Sequence, residues 1–150
     1  SQNSGMIINV TSIAGYMGLP FRAAYSATKG ALGLTTEAMR MELKEFNIKM
    51  VNAAPGDFAT NIAAGRFHAP LKDTSPYRKT YGLSLELMNE HVDEGENPML
   101  MAQAIHAIMQ EKNPKIHYKI GVFMQKISVF LKGILPDRVY ERMLLNHYKL

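Results

Sequence analysis

An α/β fold, with helices laid over a parallel sheet, is predicted by three features of this sequence. Met6-Ile7-Ile8-Asn9-Val10 is a short apolar run that follows a glycine. Ala23 to Phe46 is a long proline-free stretch of helix formers. Ile48-Lys49-Met50-Val51-Asn52-Ala53-Ala54 is a second apolar run, closed by Pro55-Gly56. Adjacent parallel strands need a long crossover, and strand, helix and strand at this spacing supply one.

Each element has its own local reason. The runs 6–10 and 48–54 read as strands buried on both faces, because they are continuously apolar and not alternating. Thr11 to Arg22 holds two glycines and a proline and reads as a loop. Leu32, Met39, Leu43 and Phe46 recur at helical spacing and predict one helix over 23–46. Between Asp57 and Asn97 the pattern predicts helical fragments alternating with loops. Pro98 to Lys112 reads as a helix with proline near its start and Leu100, Ala104, Ile105, Ile108 and Met109 on one side. A third strand is expected over about 116–121. Helices at roughly 122–132 and 137–148 should follow, broken by Gly133 and Pro136.

Composition narrows the function. The chain has 150 residues, 47% of them hydrophobic and 20% charged, which suits one soluble globular domain. The formal net charge is +4, but basic residues are interleaved with acidic ones, as in Met39-Arg40-Met41-Glu42-Leu43-Lys44-Glu45. No block resembles a nucleic-acid footprint, so no nucleic-acid partner is expected. The absence of cysteine excludes disulfides, thiolate catalysis and cysteine-ligated metals. That absence fits a reducing compartment. No apolar run reaches the roughly 18 residues of a membrane span, and Ser1-Gln2-Asn3-Ser4-Gly5 has no signal-peptide pattern. A cytoplasmic location is the expectation. His68, His91, His106, His117 and His147 are scattered without metal-ligand spacing, and no metal site is expected.

The chemistry concentrates at Ser12, Tyr25 and Lys29. Tyr25 and Lys29 lie four apart near the start of the long helix, which puts both side chains on one face. A phenol titrates near 10, so a phenolate base at neutral pH needs about 4 kcal/mol of help. An ammonium about 4 Å away, at an effective dielectric near 20, supplies roughly that amount, and a helix N-terminus adds to it. The plain alternative is an ordinary helix face that happens to carry Tyr and Lys. Ser12 sits just past a strand end, where ligands of open α/β sheets bind. Its plain alternative is a loop hydroxyl bonded to nearby backbone.

Taken together these residues resemble a known family. Gly5-Met6-Ile7-Ile8-Asn9-Val10-Thr11-Ser12-Ile13-Ala14-Gly15 is similar to the strand and serine loop of the short-chain dehydrogenase/reductases. Tyr25-Ser26-Ala27-Thr28-Lys29 matches that family's Tyr-x-x-x-Lys motif, and Pro55-Gly56-Asp57-Phe58-Ala59-Thr60 its Pro-Gly-x-x-x-Thr segment. The resemblance implies a hydride transfer between NAD or NADP and a small-molecule alcohol or ketone, with a lipophilic substrate of steroid, retinoid or acyl type expected. Tyr25 would be the general acid/base. Lys29 would assist it and bond the nicotinamide ribose, and Ser12 would hold the substrate oxygen. Pro55, Gly56 and Phe58 would line the nicotinamide side, and Thr60 would contact the carboxamide or a phosphate. Read without the family, Pro55-Gly56 is a strand-ending turn and Thr60 a helix N-cap.

The resemblance also implies the C-terminal half of a doubly wound, Rossmann-like parallel sheet. The family's Gly-rich nucleotide loop, its ribose selector and its Asn-Ala-Gly strand motif are not in these 150 residues. The chain lacks an initiator methionine and meets its first strand at once, so a partial domain is expected, with the nucleotide-binding half absent from this sequence. A non-catalytic binding or scaffold protein on the same fold is the alternative reading. The Phe67–Met88 stretch corresponds by position to the family's substrate lid, or is plain packing. The tail from Val122 to Lys132 could lie on a membrane surface or cover the substrate mouth. Closing the core or a subunit interface is favoured for it. Small residues at Ala27, Gly30, Ala31 and Gly33 would let another helix approach, so a homo-oligomer, dimer or tetramer, is expected.

Overall fold

The computed structural model describes residues 4–68 and 70–150. Three parallel strands form one sheet in the order β1-β2-β3: β1 (Gly5–Val10), β2 (Ile48–Pro55) and β3 (His117–Ile120). The register pairs Gly5 with Ile48 and Val10 with Ala53, then Asn52 with His117 and Pro55 with Ile120. All three strands therefore end at the same side, and the loops that carry Ser12 and Pro55-Gly56 emerge together.

The first crossover is α1 (Ala23–Glu42), preceded by a 3₁₀ turn at Ile13–Tyr16. The second contains α2 (Arg78–Asp93) and α3 (Pro98–Gln110). After β3 come α4 (Phe123–Ile134) and α5 (Asp137–His147). Asn97 caps α3, its side chain accepting from the Met99 amide at 2.9 Å, and Pro98 occupies the first turn. These are positions where an unpaired amide needs an acceptor and where proline costs no hydrogen bond. No helix among the described residues is long and apolar enough to cross a membrane.

The structure corrects four expectations in detail. The first helix stops at Glu42 instead of Phe46. The chain tightens into a 3₁₀ turn at Lys44–Phe46 and reverses at Asn47, whose φ of 53° is left-handed. Second, of the Leu32-Met39-Leu43-Phe46 stripe that predicted the helix, Phe46 lies beyond its end and is 63% exposed. Ser26, Gly33 and Thr36 are buried, because small residues let the helix lie close to the sheet. Third, β1 is not buried on both faces. It is the edge strand of the described sheet, with Ile7 and Val10 exposed, whereas Met50, Val51, Ala53 and Ala54 of central β2 are fully buried. Fourth, one 16-residue helix, α2, replaces the expected fragments over much of 57–97.

A hydrophobic cluster joins the serine loop to the C-terminal helices. Ile13, Met17 and Tyr140 are its buried members, with Leu19, Val129, Leu135 and Leu144 packed around them. The 122–132 segment thus closes a core through Val129 and Leu131, as favoured, while Phe123 and Phe130 on its other side are exposed.

Two glycine substitutions should have opposite signs. Gly121 has φ 144°, and a Cβ there would sit 3.0 Å from Gln125 Oε1 and 3.3 Å from the Gly56 backbone. Gly121→Ala should destabilise by about 1–3 kcal/mol. Gly82 lies inside α2 with open space around it, so Gly82→Ala should stabilise by roughly 0.5–1 kcal/mol. Urea denaturation of the two variants checks both, and equal midpoints would contradict the backbone account.

Candidate active site

The site begins where β1 ends. Ser12 is extended (φ −168°) and starts the 3₁₀ turn, its Oγ accepting from the Ala14 amide at 3.1 Å and lying 3.5 Å from the Pro55 carbonyl. The backbone-bonded loop hydroxyl anticipated as the plain reading is therefore present, and it also points the serine along the cavity wall. Tyr25 lies in the first turn of α1 and is 40% exposed. Lys29 stands one turn further on, its Nζ 5.9 Å from the Tyr25 ring centroid and donating to the Val10 carbonyl at 3.1 Å. The i, i+4 spacing does bring the two side chains together.

The loop after β2 forms the opposite wall. Phe58 pairs with Glu96 in an isolated parallel bridge, with Ala59 N donating to Glu96 O at 3.0 Å and Glu96 N to Asp57 O at 3.1 Å. Gly95 permits this approach, since a Cβ there would lie 2.7 Å from the Phe58 carbonyl carbon. Ser12, Tyr25, Pro55, Gly56, Phe58 and Thr60 all line one cavity of about 1510 Å³; Lys29 stands behind that lining. Apolar side chains make up much of the remaining wall, among them Met17, Leu19, Phe67, Met88, Ile105 and Leu144. Thr60 does not cap a regular helix; it is exposed in the turn region after β2.

Gly56 forms a ledge on which a planar amide already rests. A Cβ at Gly56 would fall 1.8 Å from Gln125 Oε1, so the amide rests there only because no side chain stands on Gly56. The Gln125 carboxamide accepts from the Asp57 amide at 3.2 Å and donates to Asp57 Oδ2 at 2.7 Å. The ledge thus offers one donor and one acceptor to a carboxamide, the group that a nicotinamide carries. The residues present fit the nicotinamide end of a dinucleotide. Among the described residues no Gly-rich strand–loop–helix start offers amides to a pyrophosphate.

A polar cluster that sequence reasoning missed occupies another part of the cavity. His91 and His147 stack with ring centroids 5.1 Å apart and an interplanar angle of 25°. His91 Nδ1 is 4.0 Å from Asp57 Oδ2. Arg22 donates to the Tyr148 hydroxyl, with its guanidinium 5.4 Å from that ring's centroid. Burial pushes the Tyr148 phenol up against the opposing pull of Arg22. His147 is held below its ordinary value by burial, then by His91 and Arg22. The pairing of residues so far apart in the chain left no local signal. Asp57 alone had one, as an acid inside the Pro-Gly-x-x-x-Thr segment. No cluster suited to a metal ion occurs among the described residues.

The three parallel strands make this an α/β chain, with Ser12, Tyr25 and Lys29 beyond its strand ends. Comparison with known proteins makes the assignment narrower. The family model described as short chain dehydrogenase matches residues 1–70. A 3-ketodihydrosphingosine reductase of Bacteroides thetaiotaomicron is 33% identical over 145 residues, covering 96% of this chain and 54% of that protein. An NADPH-dependent 1-acyldihydroxyacetone phosphate reductase of Saccharomyces cerevisiae is 30% identical, covering 97% and 49%. The crystal structure of a short-chain dehydrogenase from Streptomyces avermitilis matches with a TM-score of 0.65 at 28% identity, over 98% of this chain and 50% of that one. The chain belongs to the short-chain dehydrogenase/reductase family. It spans about half the length of the curated relatives it matches.

The depressed His147 gives a signed pH prediction. The folded state holds the proton less tightly than the unfolded state, whose imidazole titrates near 6.5. The associated stability is complete above that value and is lost as the pH falls from it through the folded-state value. Denaturation midpoints measured from about pH 8 to 5 should fall on the acid side, and His147→Asn should flatten part of that fall. An identical pH dependence in the variant would contradict the assignment.

Proposed function

We propose that this chain carries the proton-transfer and substrate-holding groups of an NAD(P)-dependent oxidoreductase that interconverts an alcohol and a ketone. The observation that carries this reading is the placement of the Ser12 and Tyr25 side chains on one cavity, with the Lys29 ammonium beside the Tyr25 ring. The nicotinamide, when bound, gives or takes the hydride. Ser12 turns its hydroxyl from Pro55 to the substrate oxygen and so orients the reacting carbon. Tyr25 gives that oxygen a proton in the reductive direction and removes it in the oxidative one. Lys29, held at the β1 end by Val10, stands beside the phenol ring and would bond a ribose hydroxyl. The Gly56–Asp57 ledge, with Pro55, Phe58 and Thr60 beside it, takes the nicotinamide and its carboxamide.

The substrate is lipophilic in this reading. Methionine, leucine, isoleucine and phenylalanine side chains form much of the cavity's apolar wall. The names of the two relatives, a 3-ketodihydrosphingosine and a 1-acyldihydroxyacetone phosphate reductase, point the same way. Self-association belongs to the same reading. Gly30 and Gly33 turn inward, but Ala27, Ala31 and Leu34 leave an exposed apolar stripe on α1 at helical spacing. A second copy of α1 fits that stripe, and light scattering of the protein should return a dimer or tetramer, not a monomer.

Substitution of the phenol is the direct test. Tyr25→Phe keeps the ring and removes the proton donor, so turnover of an apolar ketone with NADPH or NADH should fall about 10²–10⁴-fold. Ser12→Ala should also lower kcat. Circular dichroism verifies the fold of each variant. Turnover by Tyr25→Phe close to that of the unaltered protein would remove Tyr25 from the acid/base role.

A further inference from the structure

Both ends of the loop that carries Ser12 are tied to one imidazole. Thr11, immediately before Ser12, is 3% exposed, and its hydroxyl donates to Asn52 Oδ1. Asn52, 2% exposed within β2, donates from Nδ2 to His117 Nδ1 at 3.0 Å. Tyr16, the last residue of the 3₁₀ turn, places its hydroxyl 3.0 Å from the same nitrogen. On the other side of the ring, Nε2 lies 2.9 Å from Glu37 Oε1. The serine loop, α1, β2 and β3 therefore meet at His117, a residue with no part in the chemistry described above.

The hydrogen bonds allow one polarity. An ionised carboxylate only accepts, so Nε2 carries the proton towards Glu37, and Nδ1 of the neutral ring is left as an acceptor. Its single lone pair faces both Asn52 Nδ2 and the Tyr16 hydroxyl, which share it. With its amide fixed that way, Asn52 presents Oδ1 to Thr11. A second proton, at Nδ1, sets a donor against the Asn52 amide N–H and undoes that tie, and it turns the Tyr16 hydroxyl from donor to acceptor. The ionisable groups facing this cluster are Glu37 from α1, Tyr16 from the serine loop and Lys119 from β3, whose Nζ is 5.3 Å from the Tyr16 centroid. Burial, and then Glu37, push the Tyr16 phenol up and keep it protonated. The His117 side chain is 30% exposed, so protons reach it.

We propose that His117, oriented by Glu37, is a positioning residue that sets Ser12 through Thr11 and Tyr16, and that only its neutral form does so. The proposal rests on the reading of Ser12 as the group that holds the substrate oxygen. It is tested in the protein as expressed from its own gene. Nitrogen-15 NMR of the histidine rings should show His117 as the Nε2–H tautomer at neutral pH. The amides of Ser12 and Ala14 should shift with the same midpoint as the His117 ring. His117→Leu, which removes the acceptor, should lower kcat about tenfold or more, since misplacing a reacting group by about an ångström costs up to 10²-fold. KM for the cofactor should be unchanged. His117→Asn returns an acceptor oxygen and should recover most of the rate, without the acid limb in kcat that His117 gives the unaltered protein.

An Nδ1–H tautomer, loop amides indifferent to the His117 titration, or unaltered kcat and pH profile in His117→Leu would each overturn the proposal. If His117→Leu does not fold, the tautomer measurement and His117→Asn decide it. Full turnover by Ser12→Ala would overturn the reading of Ser12 and the kinetic half of the proposal with it. Loop amides that still followed His117 would support the positional half, so the two failures are distinguishable.

Discussion

The arrangement depends first on the contact of two backbones, at Gly15 and Gly30. A Cβ on Gly30 would lie 2.9 Å from the Gly15 carbonyl oxygen, and one on Gly15 would lie 2.9 Å from the Lys29 carbonyl carbon. Neither position has room for a side chain. The contact pins the turn after Ser12 to α1 just beyond Lys29, so the serine and the Tyr25–Lys29 pair are held in one rigid neighbourhood although they come from different elements. Packed interiors are nearly incompressible, which makes such a contact a precise spacer. Gly33 extends it, since a Cβ there would meet Asn52 Nδ2 at 3.3 Å.

Close approach has a second consequence. A helix face made of Ser26, Gly30, Gly33 and Thr36 buries little apolar area, so the α1–sheet interface is held partly by polar groups. Thr36 accepts from Asn9 at 2.9 Å and donates to its own helix at Leu32. Arg40 reaches the Met50 and Pro114 carbonyls at 2.6 and 2.8 Å, clamping β2 to the approach of β3. Hydrogen bonds of this kind fix orientation more sharply than apolar contact, because each has one donor, one acceptor and a narrow angular range. A site that must aim a hydroxyl gains from that sharpness. The apolar contribution comes instead from the cluster of Ile13, Met17 and Tyr140, which joins the serine loop to α5.

Much of this was legible in the sequence. The three strands, the long first helix and the proline-capped third were readable because periodicity and punctuation act locally, and the boundaries fell within a few residues. Ser12, Tyr25, Pro55, Gly56, Phe58 and Thr60 were named with the help of the family resemblance, and they do share one cavity, with Lys29 beside Tyr25. What could not be read depends on contacts between distant segments. Phe46 was read by spacing as part of the first helix, yet it lies in the 3₁₀ turn that follows and is exposed. The His91–His147 stack, the Gln125 amide on Gly56 and the His117 junction arise only when α2, α4, α5 and β3 return to the strand ends.

The central claim is that Ser12 and Tyr25 act together on one substrate oxygen. It is tested most directly by a crystal structure of the natively expressed protein with a nicotinamide cofactor and an unreactive ketone analogue. The account predicts the ligand oxygen within hydrogen-bond reach, about 2.6–3.2 Å, of both Ser12 Oγ and Tyr25 Oη, with its apolar body along Met17, Leu19 and Leu144. An oxygen bound elsewhere in the cavity, with either hydroxyl still turned to the backbone, would contradict it.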